Sequence, residues 1–454
     1  MRKLVVKLRL LMLHIFVVVL TSPFCSFAQT IHDAAINGDL TTIRTLVADD
    51  PALVHAENED DETPLFYAAY GGHTDVVKYL LDKGANPNAV SATGETALHF
   101  AAYAGHNDIV RMLVESEADV GAVNIEKNTP LHYAALNGTT ETARLLVKYG
   151  AELNARNHYG YTPRDRAEVS GHEEMAAFFA SQGGTTIRID DPEVLHLSQN
   201  VYRILFPFGD ASNIGVSVGG DGFLLVDTGF NQRAMGKLQT VLSGLGSGPV
   251  KYIINTHLHR DHRACNGIAN SDAVVIDFTK LDMLAADGLL ARIQEPIIGR
   301  TGKAFDVHYT LTFNGEEIRI IPYPGIHTDE DMMVHFTSSD VVHMGDLLIS
   351  QSFPSVRQKA DQYLLFLETV VDVFPRTTRF ISGHGRECVW DDVQDYHAML
   401  SSTAESIKKY LREGKGKKDI RADKALEEFK SWGDLIPILN ADYWMNAVCN
   451  TYRE

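Results

Sequence analysis

The residues best suited to chemistry stand in one short segment, Ile253-Ile254-Asn255-Thr256-His257-Leu258-His259-Arg260-Asp261-His262. A run of branched apolar residues ends there in three histidines and an aspartate. Imidazole nitrogens joined by a carboxylate are the donors that zinc takes at a hydrolytic site. Side chains of an extended chain repeat every second residue, so His257 and His259 are expected to face the same way at the end of a strand. A following turn then swings Asp261 and His262 toward a neighbouring point. Three later segments offer further donors, each expected at the end of a strand-like run. They are Pro324-Gly325-Ile326-His327-Thr328-Asp329, Val341-Val342-His343-Met344-Gly345-Asp346 and Ile381-Ser382-Gly383-His384-Gly385. Upstream, Leu224-Leu225-Val226-Asp227-Thr228-Gly229 ends another apolar run in aspartate.

Positioning such groups requires a rigid frame of strands. The segments around 201–206, 213–218 and 222–226 are short, β-branched and separated by Gly-Asp or Gly-Gly turns, the pattern of strands. A helical stretch over 231–245 follows, and strands and helices then alternate, which predicts an α/β domain with a sheet sandwich inside helices. From Asp391 onward the chain reads as helical, with a basic, glycine-containing break at 413–418. This extension is expected to pack on the outside of the domain, with Trp432 and Tyr443 either in its core or lining a substrate groove.

Taken in order, the five segments resemble the metallo-beta-lactamase superfamily over roughly 194–400. The resemblance implies an αββα sandwich and a pair of zinc ions, the first held by His257, His259 and His327 and the second by Asp261, His262 and His384. Asp346 would bridge the two. Asp227 would hold the histidine loop by hydrogen bonds rather than bind metal, and Thr328 and Asp329 would serve their own loop in the same way. A metal-bridging hydroxide would attack an electrophilic centre, with Asp261 orienting it as the catalytic carboxylate. His335 and His343 read as satisfied core or surface histidines rather than ligands. Arg260 and Arg386 lie beside ligands and are either contacts for an anionic substrate or surface ion pairs, and Asn266 is a candidate substrate contact. Many relatives have a Gly-Gly pair before that asparagine, where this chain has Ala264-Cys265.

The fold hosts many reactions, so substrate must be argued separately. True zinc β-lactamases usually place Cys or Ser at the bridging position, which Asp346 occupies here. Ser352-Phe353-Pro354 and the Gly-His-Gly turn look more like the quinoprotein-associated and glyoxalase II-like branch. An ester, thioester or lactone is therefore the expected small-molecule substrate, ahead of a β-lactam. Two other readings are an iron-dependent oxygenase or reductase in the same cage, and an adaptor with a vestigial hydrolase domain.

The first half of the chain has a different organisation. Thr63-Pro64-Leu65, Thr96-Ala97-Leu98, Thr129-Pro130-Leu131 and Thr162-Pro163-Arg164 recur every 33 residues. Each is followed by a short small-residue helix, the first three ending at Gly72, Gly105 and Gly138, and then by an amphipathic helix such as Asp75–Leu81. The pattern resembles the ankyrin repeat over roughly 30–183, with a degenerate unit near Ile31. It predicts a helical solenoid, either docking another protein or supporting the enzyme half. His99 and His132 read as structural residues of the repeat rather than metal ligands. The expected organisation is a signal peptide at 1–28, repeats at 30–183, a linker at 184–193, the hydrolase domain at 194–400 and a helical extension at 401–454.

Charge and composition set the outer limits. A formal net charge of -18 argues against nucleic acid or an anionic membrane surface as partner, because phosphates would be repelled. Arg2, Lys3, Lys7 and Arg9 precede an apolar run to Leu20, and Ser26-Phe27-Ala28 offers a cleavage site, so 1–28 reads as a secretory signal. The expected location is periplasmic or secreted, with no membrane span after cleavage. Removing those four positive charges takes the net charge to about -22, that is -18 minus 4. Cys265, Cys388 and Cys449 would remain, too few and too irregularly spaced for a disulfide framework.

Overall fold

The structure is a computed structural model that describes residues 31–187, 190–206, 211–229, 232–268, 272–356, 359–427, 429 and 440–452. The chain divides into two compact units, Met1–Arg188 and Ile189–Glu454. The expected signal peptide and Trp432 lie outside the described residues. Among the described residues no helix is long and apolar enough to cross a membrane.

The N-terminal unit is built from helix pairs, and its 33-residue period is visible at the helix boundaries. Thr63, Thr96, Thr129 and Thr162 each stand at the N-cap, in extended backbone, before Pro64–Gly71, Ala97–Ala104, Pro130–Asn137 and Pro163–Ser170. Proline at the first helical position of three of them costs nothing, because that N–H has no partner within the helix. Gly72, Gly105, Gly138 and Gly171 close these helices in the left-handed region, where a β-carbon is disfavoured. The second helices, Thr74–Asp82, Asn107–Glu115, Thr140–Lys148 and Glu173–Ser181, pack against the first through one continuous core. The degenerate first unit is present too, as a helical stretch over 31–37 followed by Leu40–Asp49. Successive repeats are stitched by side chains at one recurring position. His73 Nε2 reaches Ile36 O (2.8 Å), His106 Nε2 reaches Tyr70 O (3.0 Å), Thr139 Oγ1 reaches Ala102 O (2.8 Å) and His172 Nε2 reaches Leu136 O (3.2 Å).

The C-terminal unit contains two large sheets. The first orders its strands β1-β2-β3-β4-β5-β6, which are Glu193–His196, Val201–Leu205, Ile214–Gly219, Gly222–Val226, Val250–Ile254 and Val274–Ile276. The second comprises β7 (Ala291–Ile293), β10 (His308–Phe313), β11 (Glu316–Pro322), β12 (Met332–Phe336), β13 (Val341–Ile349), β14 (Arg379–His384) and β15 (Cys388–Val389), in the order β15-β14-β13-β12-β11-β10-β7. A small two-stranded sheet pairs β8 (Ile297–Ile298) with β9 (Ala304–Phe305).

Alternation along the strands makes the layers. Leu224, Val226, Ile254 and Ile276 of the first sheet share a core with Ile318, Ile320, Val334 and Phe336 of the second. The opposite face of the second sheet, through Ile321, Met333, Val342 and Met344, packs on the helices Ala360–Val373, Trp390–Arg412 and Ala441–Tyr452. On the first sheet, β4 and β5 run parallel, so the helix Met235–Leu245 between them must cross over one face, where it buries Leu238 and Leu242. The C-terminal helices complete the second sheet's outer layer: Trp390–Arg412 runs unbroken through position 400, and Trp444 is fully buried with its Nε1 donating to Thr403 Oγ1 at 2.8 Å. Tyr443 is half-buried and donates to Val356 O at 3.3 Å. Cys265, Cys388 and Cys449 are buried.

Candidate metal centre

Parallel strands β4, β5 and β6 place their carboxyl ends along one edge of the first sheet, and the reactive residues gather there. Two of the sequence-based placements need correction. β5 ends at Ile254, so His257 and His259 lie in the loop beyond it, and His259 is the N-cap of the short helix Arg260–Arg263. Strand alternation therefore does not aim them. Asp346 is not at a strand end but within β13, whose nine residues are all buried. There the register slips between His343 and Gly345, and Gly345 takes a φ of +51°. A β-carbon on Gly345 would sit 2.6 Å from Thr256 Oγ1, and one on Gly383 would sit 2.1 Å from Asp346 Oδ1. Glycine at these two positions lets the three segments converge.

All seven predicted donors are brought together. They form two groups, His257, His259, His327 and Asp346, and Asp261, His262 and His384, each with donor atoms within 4.8 Å of one another. Asp346 spans them. Its Oδ2 lies 3.6 Å from His257 Nε2 and 3.2 Å from His327 Nε2, while Oδ1 lies 3.2 Å from His262 Nε2 and 3.3 Å from His384 Nε2. Asp261 Oδ2 sits 3.4 Å from His384 Nε2 and 3.7 Å from His262 Nε2.

The far side of each ring fixes its tautomer. His327 Nδ1 donates to Ser355 O at 2.8 Å, His384 Nδ1 to Ala211 O at 3.2 Å and His262 Nδ1 to Asp227 Oδ2 at 2.7 Å. Thr256 Oγ1 donates to Asp227 Oδ2 at 2.9 Å, which leaves it to accept from His257 Nδ1 at 3.1 Å. Four rings thus turn an Nε2 toward the shared point, the arrangement that orients metal-binding histidines. His259 presents Nδ1 instead, 2.9 Å from His327 Nε2. Two imidazole nitrogens that close require a proton or a cation between them.

Such a site suits cations electrostatically. Asp227, Asp261 and Asp346 bring three carboxylates into a region where the histidines are buried, and buried charge is costly unless compensated. Among the described residues, His257 Nε2, His262 Nε2 and Asp346 Oδ1 are buried and make no hydrogen bond of good geometry. The ionisation of the bare cluster follows. Burial holds the His257 and His259 imidazoles neutral, well below their ordinary range. At His262 and His384 burial acts the same way but is outweighed, by Asp346, Asp227 and Asp261 at the first and chiefly Asp346 and Asp261 at the second, so both are raised, His384 to about 10. Protons there stand in for positive charge that divalent ions would otherwise supply.

These donors could hold metal, and comparison with known proteins agrees. The sequence model of the metallo-beta-lactamase superfamily matches residues 207–398. Residues 207–398 are a metallo-beta-lactamase superfamily domain. Ankyrin repeats, in three copies, match residues 31–124 and 119–191. Similar curated proteins include human Ankyrin repeat domain-containing protein 49, 44% identical over 57 residues that cover 13% of this chain and 24% of that one. Serine/threonine-protein kinase VIK of Arabidopsis thaliana is 47% identical over 55 residues, 12% of this chain and 13% of its own. NAD-capped RNA hydrolase NUDT12 of Macaca fascicularis is 32% identical over 69 residues, 15% of each chain. The chain thus spans at most about a quarter of the length of these relatives.

Around the donors of the metallo-beta-lactamase domain, Asp227 does what its position suggested. It is fully buried, adopts a φ of +61°, and accepts from Thr256 N at 2.8 Å, Thr256 Oγ1 and His262 Nδ1. Strain at a non-glycine residue is sustained here by those bonds. In the His327 loop, Asp331 joins Thr328 in holding the backbone. Asp331 Oδ2 accepts from His327 N and Thr328 N, both at 2.8 Å, and Oδ1 accepts from Thr328 Oγ1 at 2.5 Å. The signal was present as three acids in Thr328-Asp329-Glu330-Asp331, but nothing in the sequence says which turns inward.

The weaker candidates have other occupations. Asn266 Oδ1 accepts from Thr228 Oγ1 at 2.8 Å, and Arg386 pairs with Asp392 at 2.8 Å in an exposed position. His335 packs edge-on against Phe374, with ring centroids 5.1 Å apart. His343 is fully buried, accepts from Gly345 N at Nδ1 (3.2 Å) and donates from Nε2 to Asn213 O (3.3 Å). A cleft of about 480 Å³ opens beside the His327 loop, lined by Phe278, Leu281, Val307, Tyr309, Asp329 and Glu330 among others.

Proposed function

We propose that this protein is an exported, dinuclear zinc hydrolase acting on an ester, thioester or lactone, with its ankyrin repeats docking a protein partner. The observation that carries the reading is that the two oxygens of Asp346 face two separate sets of imidazoles. His257, His259 and His327 would hold one cation, Asp261, His262 and His384 the other, and Asp346 both. Such a pair supplies Lewis acidity, lowering the pKa of a water and polarising a substrate oxygen.

The remaining steps belong to the chain. The Asp261 side chain is 15% exposed, against 2% for Asp346, so it is the carboxylate on the open side of the cluster. From there it would orient the attacking water and accept its proton. Asp227 would keep His257 and His262 in the tautomers that point Nε2 inward. A carboxylate at the bridging position, in place of the Cys or Ser usual in zinc β-lactamases, favours ester-type substrates, and the apolar run with its basic start at 1–28 favours export.

Elemental analysis of the purified chain, followed by assay against thioester, lactone, ester and chromogenic cephalosporin substrates, tests the reading. Two zinc per chain and turnover of an ester-class substrate, both lost in His259→Ala, are the expected results. A folded chain that takes up no divalent ion would overturn it, and iron in place of zinc would redirect it to oxygen chemistry.

A further inference from the structure

Three consecutive residues contact the second donor group more than any motif in the sequence suggested. Ala211 O accepts from His384 Nδ1 at 3.2 Å. Ser212 Oγ donates to Asp261 O at 2.5 Å, and its backbone forms an isolated antiparallel bridge with His384. Asn213 N donates to Gly383 O at 2.8 Å, and its Nδ2 donates to Ser382 O and Gly385 O, both at 2.9 Å. Ser212 and Asn213 are fully buried. They lead into β3 of the first sheet, whereas Ser382–Gly385 closes β14 of the second. The contacts that hold the first group come from elsewhere: Ser355 O and Asp331 for His327, Thr256 for His257.

We propose that Ala211-Ser212-Asn213 is a strap that positions the second cation's ligands, Asp261 and His384, independently of the first cation's. This rests on the reading that a pair of cations is bound. The strap acts from both sides of the second site. Through Ser212 it fixes the backbone of the carboxylate ligand, and through Asn213 it fixes the residues on either side of the histidine ligand. A two-donor amide is required at 213, because the carbonyls of Ser382 and Gly385 both point at Nδ2. His343 adds a cross-tie, running from Asn213 O to Gly345 N beside the shared Asp346.

Ser212→Ala and Asn213→Asp in the full chain test this. The aspartate keeps the shape of the amide but cannot donate to two carbonyls, and when ionised it repels both. Cobalt titration, read by visible absorption and by calorimetry, should show two binding events in the parent chain. In each variant one event should persist with unchanged affinity and spectrum, while the other shifts about 10–100-fold to higher concentration, the usual effect of removing a group that supports a ligand. If Asn213→Asp does not fold, Ser212→Ala, which removes a single hydroxyl, decides alone. Two unshifted events in the variants would overturn the strap, as would equal weakening of both. A parent chain that binds no cobalt would instead defeat the metal reading itself, so the two failures are distinguishable.

Discussion

His99 and His132 in the repeats and His257 and His262 in the metal centre are all buried, yet they differ in what their second nitrogen does. In the repeats each ring is used at both ends. His99 Nδ1 accepts from Thr96 N at 3.0 Å and Nε2 donates to Asn128 O at 3.0 Å. His132 accepts from Thr129 N at 3.2 Å and donates to Tyr161 O at 2.9 Å. In the centre, His257 and His262 are held at Nδ1 while Nε2 is buried and unpaired. Burial therefore does not distinguish a structural histidine from a ligand. What separates these two pairs is an unpaired Nε2 gathered among other donors able to hold a metal ion.

Variants can break or sharpen that contrast. The largest effect is expected at Gly383→Ala, whose added β-carbon would sit 2.1 Å from Asp346 Oδ1. Metal content and activity should both be lost while circular dichroism of the repeat helices is retained. Retention of both cations would mean that β13 and β14 give way more easily than their pairing implies.

Next in size is chelation. Ions bound only by the folded state stabilise by mass action, about 4 kcal/mol at a thousandfold excess over the dissociation constant. Stripping them should speed amide exchange in Val341–Ile349 and Arg379–His384 and leave exchange in the repeat helices unchanged. Uniform acceleration along the chain would count against a local metal site.

His132→Ala probes the other side of the contrast. It strands the carbonyl of Tyr161 and the amide of Thr129, so a loss of about 1–3 kcal/mol is expected in urea unfolding of the repeats, with metal content unaltered. Asp227→Asn should do the reverse. Cation affinity should fall about 10–100-fold, as when a group behind a ligand is removed, while unfolding of the repeats is unchanged. The smallest effect is expected from Thr129→Ala, which removes a helix cap for about 1 kcal/mol and spares activity altogether.

Much of this was legible before the structure, and for physical reasons. A 33-residue period with threonine, proline and glycine at fixed offsets specifies helix starts and stops, so the repeats could be read element by element. The seven donors were legible because each is a residue type with few other reasons to follow an apolar run. What could not be read was how they are aimed. His257 and His259 are oriented by Thr256, Asp227 and the start of a short helix, not by strand alternation, and Asp346 reaches the centre through a bulge. Asp331, Ser355 and the 211–213 segment act through single hydrogen bonds to backbone or through their own carbonyls, which leave no periodic trace.

The stitching between repeats carries a consequence for how the N-terminal unit can change. The donors recur at one position while the acceptor alternates by one residue: His73 and Thr139 reach Ile36 and Ala102, whereas His106 and His172 reach Tyr70 and Leu136. Excising or duplicating two whole repeats, 66 residues or twice the 33-residue period, would therefore recreate the same junction rather than tear it. The length of the solenoid is adjustable in discrete steps, and evolution or an engineer can lengthen its reach without redesigning a single seam.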